Sequence, residues 1–161
     1  MKKFFLAAMT ALLSLGLGSC SSDNDGIQED KPSKSIYKVD VVQEGDLSLW
    51  NITAGVNGVS GTKDGLFNSE DGTSVGMAYV LTEKEATKGK WSYRTNEEGV
   101  WISAVVTAFK KLEMEDKAGV LKVTAKVYLN DKLLGQKEKI FTGEEEQEEP
   151  LEINSIDYSQ K

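Results

Sequence analysis

Histidine is absent from this 161-residue chain, and cysteine, arginine and proline are scarce: one Cys, one Arg, two Pro. Without histidine there is no Ser-His relay, no imidazole base and no His-ligated metal. A lone Cys20 closes no internal disulfide and builds no cysteine cluster for zinc or iron–sulfur. With Arg94 alone, the chain lacks the bidentate side chains that read phosphate and guanine. Its 19 basic and 26 acidic residues leave a net charge of −7, which repels polyanions. Nucleic acid is therefore not an expected partner. No residue pattern asks for a cofactor, and neither a Gly-rich phosphate loop nor a Gly-x-Ser-x-Gly elbow is present.

Long apolar runs are also missing, with one exception. Phe4 to Leu17, FFLAAMTALLSLGL, follows the basic start Met1-Lys2-Lys3. The run is too short to span a hydrocarbon core of about 30 Å as a permanent helix. Its length, its basic flank and its small-residue exit fit a secretory leader, expected over residues 1–19. Removal of Lys2 and Lys3 with it makes the chain more acidic still.

Leu17-Gly18-Ser19-Cys20 resembles the lipobox of bacterial lipoproteins, in which an aliphatic residue and two small residues precede the cysteine that is modified. That resemblance implies cleavage before Cys20 by signal peptidase II. It also implies a diacylglycerol thioether on Cys20 and a fatty acyl chain, such as palmitate, on the new amine. Each buried methylene contributes about 0.8 kcal/mol, and several chains together make anchoring stable. A reactive thiol, the competing role for Cys20, would need a base that the sequence does not supply. The following Ser21-Ser22-Asp23-Asn24-Asp25-Gly26 is similar to the export signal of Bacteroidota surface lipoproteins. By that resemblance the protein belongs on the outer membrane, exposed at the cell surface. An EF-hand reading of the same stretch fails, because aligning Gly26 with the loop glycine puts Pro32 where a bidentate Glu is required.

Residues 20–35 carry the lipidated cysteine and a polar string with too little apolar surface to order itself, so a tether is expected. Its reach is roughly 20 Å if it behaves as a flexible coil. Residues 36–161 read as a single β domain. Tyr37, Val39 and Val41 alternate with Lys38 and Asp40, and Leu47–Val56 reads as a second strand closed by an Asn57-Gly58 turn. Residues 60–72 read as loop. Ser74–Thr82 alternates again, Glu83–Gly89 reads as a short helical turn or loop, and Trp91 and Tyr93 share one face of a further strand. Val100–Phe109 is apolar on both faces, the mark of a covered central strand, with Trp101 expected in the core. Leu121, Val123, Ala125, Val127 and Leu129 give the clearest alternation, and Asn130-Asp131 marks a tight hairpin into residues 132–142. An acidic segment over 144–149 is expected to stay solvated, and residues 151–158 form a last edge strand.

Seven or eight short strands and no long amphipathic helix predict an all-β fold. The expectation is an antiparallel immunoglobulin-like β-sandwich, with a small lipocalin-like β-barrel as the alternative.

Candidate sites are few. Trp50, Trp91, Tyr93 and Trp101 offer rings that could pack on a sugar, with cross-strand packing in the core as the plainer role; Trp101 is set aside as core, which leaves Trp91, Tyr93 and Trp50. Asp64, Glu70 and Asp71 share one Gly-rich loop, and Glu97 and Glu98 another, but the spacing matches no metal motif. No metal site and no catalytic residue is assigned. Asn51-Ile52-Thr53 matches a eukaryotic glycosylation acceptor inside an expected strand, an accidental match. The expected function is that of a lipid-anchored, non-catalytic binding or accessory domain for a protein partner or an extracellular glycan. The alternatives are a barrel carrying an apolar ligand and a small hydrolase using acidic residues. Oligomeric state is not legible.

Overall fold

The computed structural model describes residues 34–61, 65–144 and 148–159. The expected leader, Cys20, most of the tether and Asp64 lie outside the described residues. Ten strands run in chain order. β1 spans Tyr37–Glu44, β2 Trp50–Ser60, β3 Leu66–Asn68, β4 Ser74–Gly76 and β5 Ala78–Val80. After the one-turn helix α1, Glu83–Ala86, come β6 (Lys90–Thr95) and β7 (Gly99–Lys110). β8 (Leu121–Leu129), β9 (Lys132–Phe141) and β10 (Leu151–Asn154) complete the fold. They form a six-stranded sheet in the order β4-β3-β6-β1-β8-β9 and a four-stranded sheet in the order β10-β7-β2-β5. The described strands make an all-β sandwich of two separate sheets and no closed barrel, so the barrel alternative falls. Among the described residues no helix is long and apolar enough to cross a membrane.

Strict alternation builds the core. In the six-stranded sheet Val39 and Val41 of β1, Trp91 and Tyr93 of β6, and Leu121 to Val127 of β8 turn one face inward. In the four-stranded sheet Trp50, Ile52, Ala54 and Val56 of β2 meet them, with Ile102 to Ala108 of β7. Small Ala54, Ala104 and Ala108 are buried in one interior with large Trp50, Tyr93 and Phe141, a mixture of sizes that close packing can use.

Several sequence expectations are corrected. Asn57-Gly58 is not a turn: β2 runs through it, paired as Asn57↔Ser103 and Gly58↔Ile102. Gly58 is there because Leu66 packs against it, leaving no room for a Cβ. The stretch read as loop over 60–72 contains β3. Leu47–Leu49 is a 3-10 turn rather than strand, and after Asn154 the chain leaves its edge strand for a second such turn, Ser155–Tyr158. The Asn130-Asp131 hairpin stands as read, with φ of 48° and 63° supplying the double left-handed geometry of a two-residue turn.

The start of the described chain is strapped to one end of the sandwich. Ser35 N–H donates to Glu97 O (2.8 Å), and Gly99 N–H donates to Ser35 O (2.7 Å). The Asn130 side chain accepts from Ile36 N–H (2.9 Å) and donates to Lys34 O (2.8 Å). Lys34 and Glu97 form an ion pair at 2.7 Å.

Candidate functional site

The three rings chosen from sequence lie inside. Trp50 is 1 % exposed, Trp91 5 % and Tyr93 1 %. Trp91 and Tyr93 sit on the inward parity of β6, ring edge to ring face at 6.0 Å, and Tyr79 approaches Tyr93 at 5.8 Å. Burial pushes the Tyr93 hydroxyl far above its ordinary pKa. These rings are core and do not form the platform expected of them. The physical reason is parity. Lys90, Ser92 and Arg94 alternate with them and take the outer face, so the rings cannot.

The loop acids have local partners. Asp71 accepts from Thr73 N–H at 2.9 Å, which holds its carboxyl below the usual range. Glu70 lies 3.9 Å from Lys88, and Glu97 pairs with Lys34. In the acidic segment, Glu148 is half-buried rather than simply solvated. It accepts from the backbone N–H groups of Thr142 (2.7 Å) and Gly143 (2.6 Å). Among the described residues no three His, Cys, Asp or Glu side chains are grouped to hold a metal ion.

The outer faces of the two sheets differ sharply. On the six-stranded sheet, Lys38, Asp40, Lys90, Arg94, Lys122, Lys126 and Glu138 form a mixed-charge surface. Four of these charges are paired, Lys38–Asp40 at 3.4 Å and Lys122–Glu138 at 3.0 Å, with Lys38 also over the Tyr128 ring. Such a face is well solvated.

The four-stranded sheet presents almost no charge. From β2 it shows Asn51, Thr53, Gly55, Asn57 and Val59. Cross-strand partners on β7 are Trp101 beside Val59, Ser103 beside Asn57, Val105 beside Gly55, Thr107 beside Thr53 and Phe109 beside Asn51. β5 adds Ala78 and Val80, the latter 70 % exposed, and β10 adds Glu152 and Asn154. Glu152 is the one charge in this set. Where β2, β7 and β10 meet, a shallow depression of about 410 Å³ is lined by Asn57, Ser103, Val105, Glu152 and Asn154, together with the Lys137–Asp157 ion pair (3.8 Å). Trp101 is half-buried on the same outer face, not in the core.

Sequence reading misses this surface because Val100–Phe109 looks apolar on both faces. The usable signal lies on the neighbouring strand. Asn51, Thr53 and Asn57 occupy one parity of β2, polar but uncharged, and a partner strand must share that face.

No protein-family model matches the sequence, and no curated protein does. Among solved structures the chain is similar to a DUF4425 family protein from Bacteroides ovatus ATCC 8483, at 21 % identity and a TM-score of 0.66. That match covers 76 % of this chain and 96 % of the other. A DUF4425 domain of unknown function from Bacteroides vulgatus ATCC 8482 is similar at 20 % identity and a TM-score of 0.58, over 76 % and 92 % of the two chains. The calcium-bound form of a protein from Parabacteroides distasonis, seen by NMR, is similar at 19 % identity and a TM-score of 0.63, over 78 % and 98 %. All three come from Bacteroidota, and at these identities they establish the all-β sandwich fold of this chain and nothing finer.

Proposed function

We propose that this protein is a lipid-anchored lipoprotein of the outer membrane, exposed at the cell surface, whose sandwich is a non-catalytic binding module. Two observations support the two halves. Leu17-Gly18-Ser19-Cys20 supports lipid attachment at Cys20. The charge-poor outer face of the four-stranded sheet carries the binding half. In a chain where 28 % of residues are charged, a whole sheet face with one carboxylate is the surface least suited to water alone. An interior filled with side chains supports binding on the surface rather than enclosure of an apolar ligand.

The anchor is tested by Cys20→Ala. The expected outcome is transfer of the protein from the membrane fraction to the soluble fraction, together with an acylated N-terminal cysteine in mass spectra of the native protein. A Cys20→Ala variant that still sediments with membranes, or a native chain beginning at an unmodified Met1, overturns it. The contact face is tested by Val105→Glu, which places a second carboxylate beside Glu152, its cross-strand neighbour. Loss of ligand or partner contact is expected in a chain that remains folded, with a small fall in melting temperature from the new like-charge pair. Unchanged contact overturns the assignment of this face.

A further inference from the structure

We propose that the outer face of the four-stranded sheet takes a neutral oligosaccharide, with Trp101 as the stacking ring and Asn57, Ser103 and Asn154 as its hydroxyl partners. This rests on the reading of that face as the contact surface and adds the chemical class of what it contacts.

The polar groups of the depression carry the argument. Asn57 and Asn154 are amides and Ser103 is a hydroxyl. Each side chain both donates and accepts without carrying charge, the property that matches a ring of sugar hydroxyls. Asn154 Oδ1 already accepts from Ile156 N–H at 3.0 Å, which fixes the amide and leaves its N–H groups for an outside acceptor. Ser103 lies directly across from both Asn57 and Asn154, so the three form a row over three adjacent strands. Neighbouring strands stand about 4.8 Å apart, so the row spans roughly 10 Å.

Apolar surface flanks that row on β7. Trp101 is two residues to one side of Ser103 and Val105 two residues to the other, each about 7 Å away along the strand. A half-buried indole beside neutral hydrogen-bonding groups suits the alternating C–H and O–H faces of a pyranose. Charge complementarity selects against the competing ligands. A net charge of −7, and two carboxylates in the depression (Glu152 and Asp157) against one ammonium (Lys137), disfavour an anionic polymer. A protein partner seeks a dry apolar centre, whereas this depression is lined by two amides, a hydroxyl and three charged side chains.

The test uses the full mature lipoprotein in detergent micelles. Its mobility is measured in native gels containing a soluble glucan, galactan, mannan or xylan, with polygalacturonate as the anionic control. Retardation by at least one neutral polymer is expected, with none by polygalacturonate. Trp101→Ala should weaken the retarding association about tenfold. Asn57→Ala, at an exposed position outside the core, should weaken it as well. Lys126→Ala on the opposite sheet should leave it unchanged. Failure of all four neutral polymers, or retardation indifferent to both Trp101→Ala and Asn57→Ala, overturns the proposal. Cross-linking on intact cells separates the two failures. If no neutral polymer binds but a protein is cross-linked through this face and Val105→Glu prevents it, the sugar inference falls and the contact face stands. If Val105→Glu changes nothing there either, both fall.

Discussion

Ser155 brings its hydroxyl into the core, 1 % exposed, where it accepts from Ile102 N–H at 3.0 Å. β10 ends one residue earlier, so this oxygen replaces the ladder partner that Ile102 would otherwise lack. Ser155→Ala removes the acceptor and keeps the volume. A buried N–H without a partner costs about 1–3 kcal/mol. The expected outcome is a lower denaturant midpoint of that size with an unchanged slope. Thr95, fully buried, performs the same service for Tyr37 N–H at 3.0 Å. Neither role is legible beforehand, since a Ser or Thr near a strand end reads the same whether it faces water or backbone. Trp101 is illegible for a related reason. Parity assigns it to the face opposite Ile102, but only the neighbouring strand says which face is the outer one.

At the scale of elements, local signals are legible where local energies decide. Asn130-Asp131 makes its turn because both residues tolerate left-handed backbone and the flanking strands need that twist. Asn57-Gly58 carries an equally strong turn signal and makes none, because eleven residues of β2 pair along β7 and the ladder outweighs two residues of preference. β3 is three residues long and escapes any periodicity test. The four-residue α1 exists through its capping box. Thr82 Oγ1 accepts from Glu85 N–H at 3.4 Å, and Glu85 accepts from Thr82 N–H at 2.8 Å. Glu85 also accepts from Thr82 Oγ1 at 2.7 Å and Tyr79 Oη at 2.9 Å, tying α1 to β5. The Thr82 hydroxyl, first among these donors, holds the Glu85 carboxyl below its ordinary 4.5. A carboxyl lowered on folding stabilises the fold above 4.5, and the gain is lost as pH falls through its folded value. Glu85→Gln should therefore lower the melting temperature at neutral pH. The difference from the natural chain should shrink as pH is taken below 4.5. A difference constant across that range would show that Glu85 contributes through packing alone.

For the whole molecule, the division of labour between two sheets follows from parity alone. The inner parities share one core. The outer parities are independent, so one sheet carries paired charges and the other almost none. The architecture is legible in sequence, since alternating runs punctuated by turns admit few all-β solutions. The pairing order is not, because it depends on contacts between distant strands: β1 lies between β6 and β8, far from its neighbours in sequence.

That placement has a mechanical consequence if Cys20 holds the protein to a membrane while the other sheet grips a ligand. Tension then passes from Lys34 into β1 and runs along the middle strand of the larger sheet. Both ladders flanking β1 are antiparallel, with bonds perpendicular to the pull, so they are sheared together rather than unzipped in turn. The Asn130 side chain, bonded to Lys34 O and Ile36 N–H, shares that load with the Lys34–Glu97 ion pair. In optical-tweezer traces between handles at Lys34 and Asn57, Asn130→Ala should rupture at lower force, whereas a chain peeled from β9 should yield more readily than either.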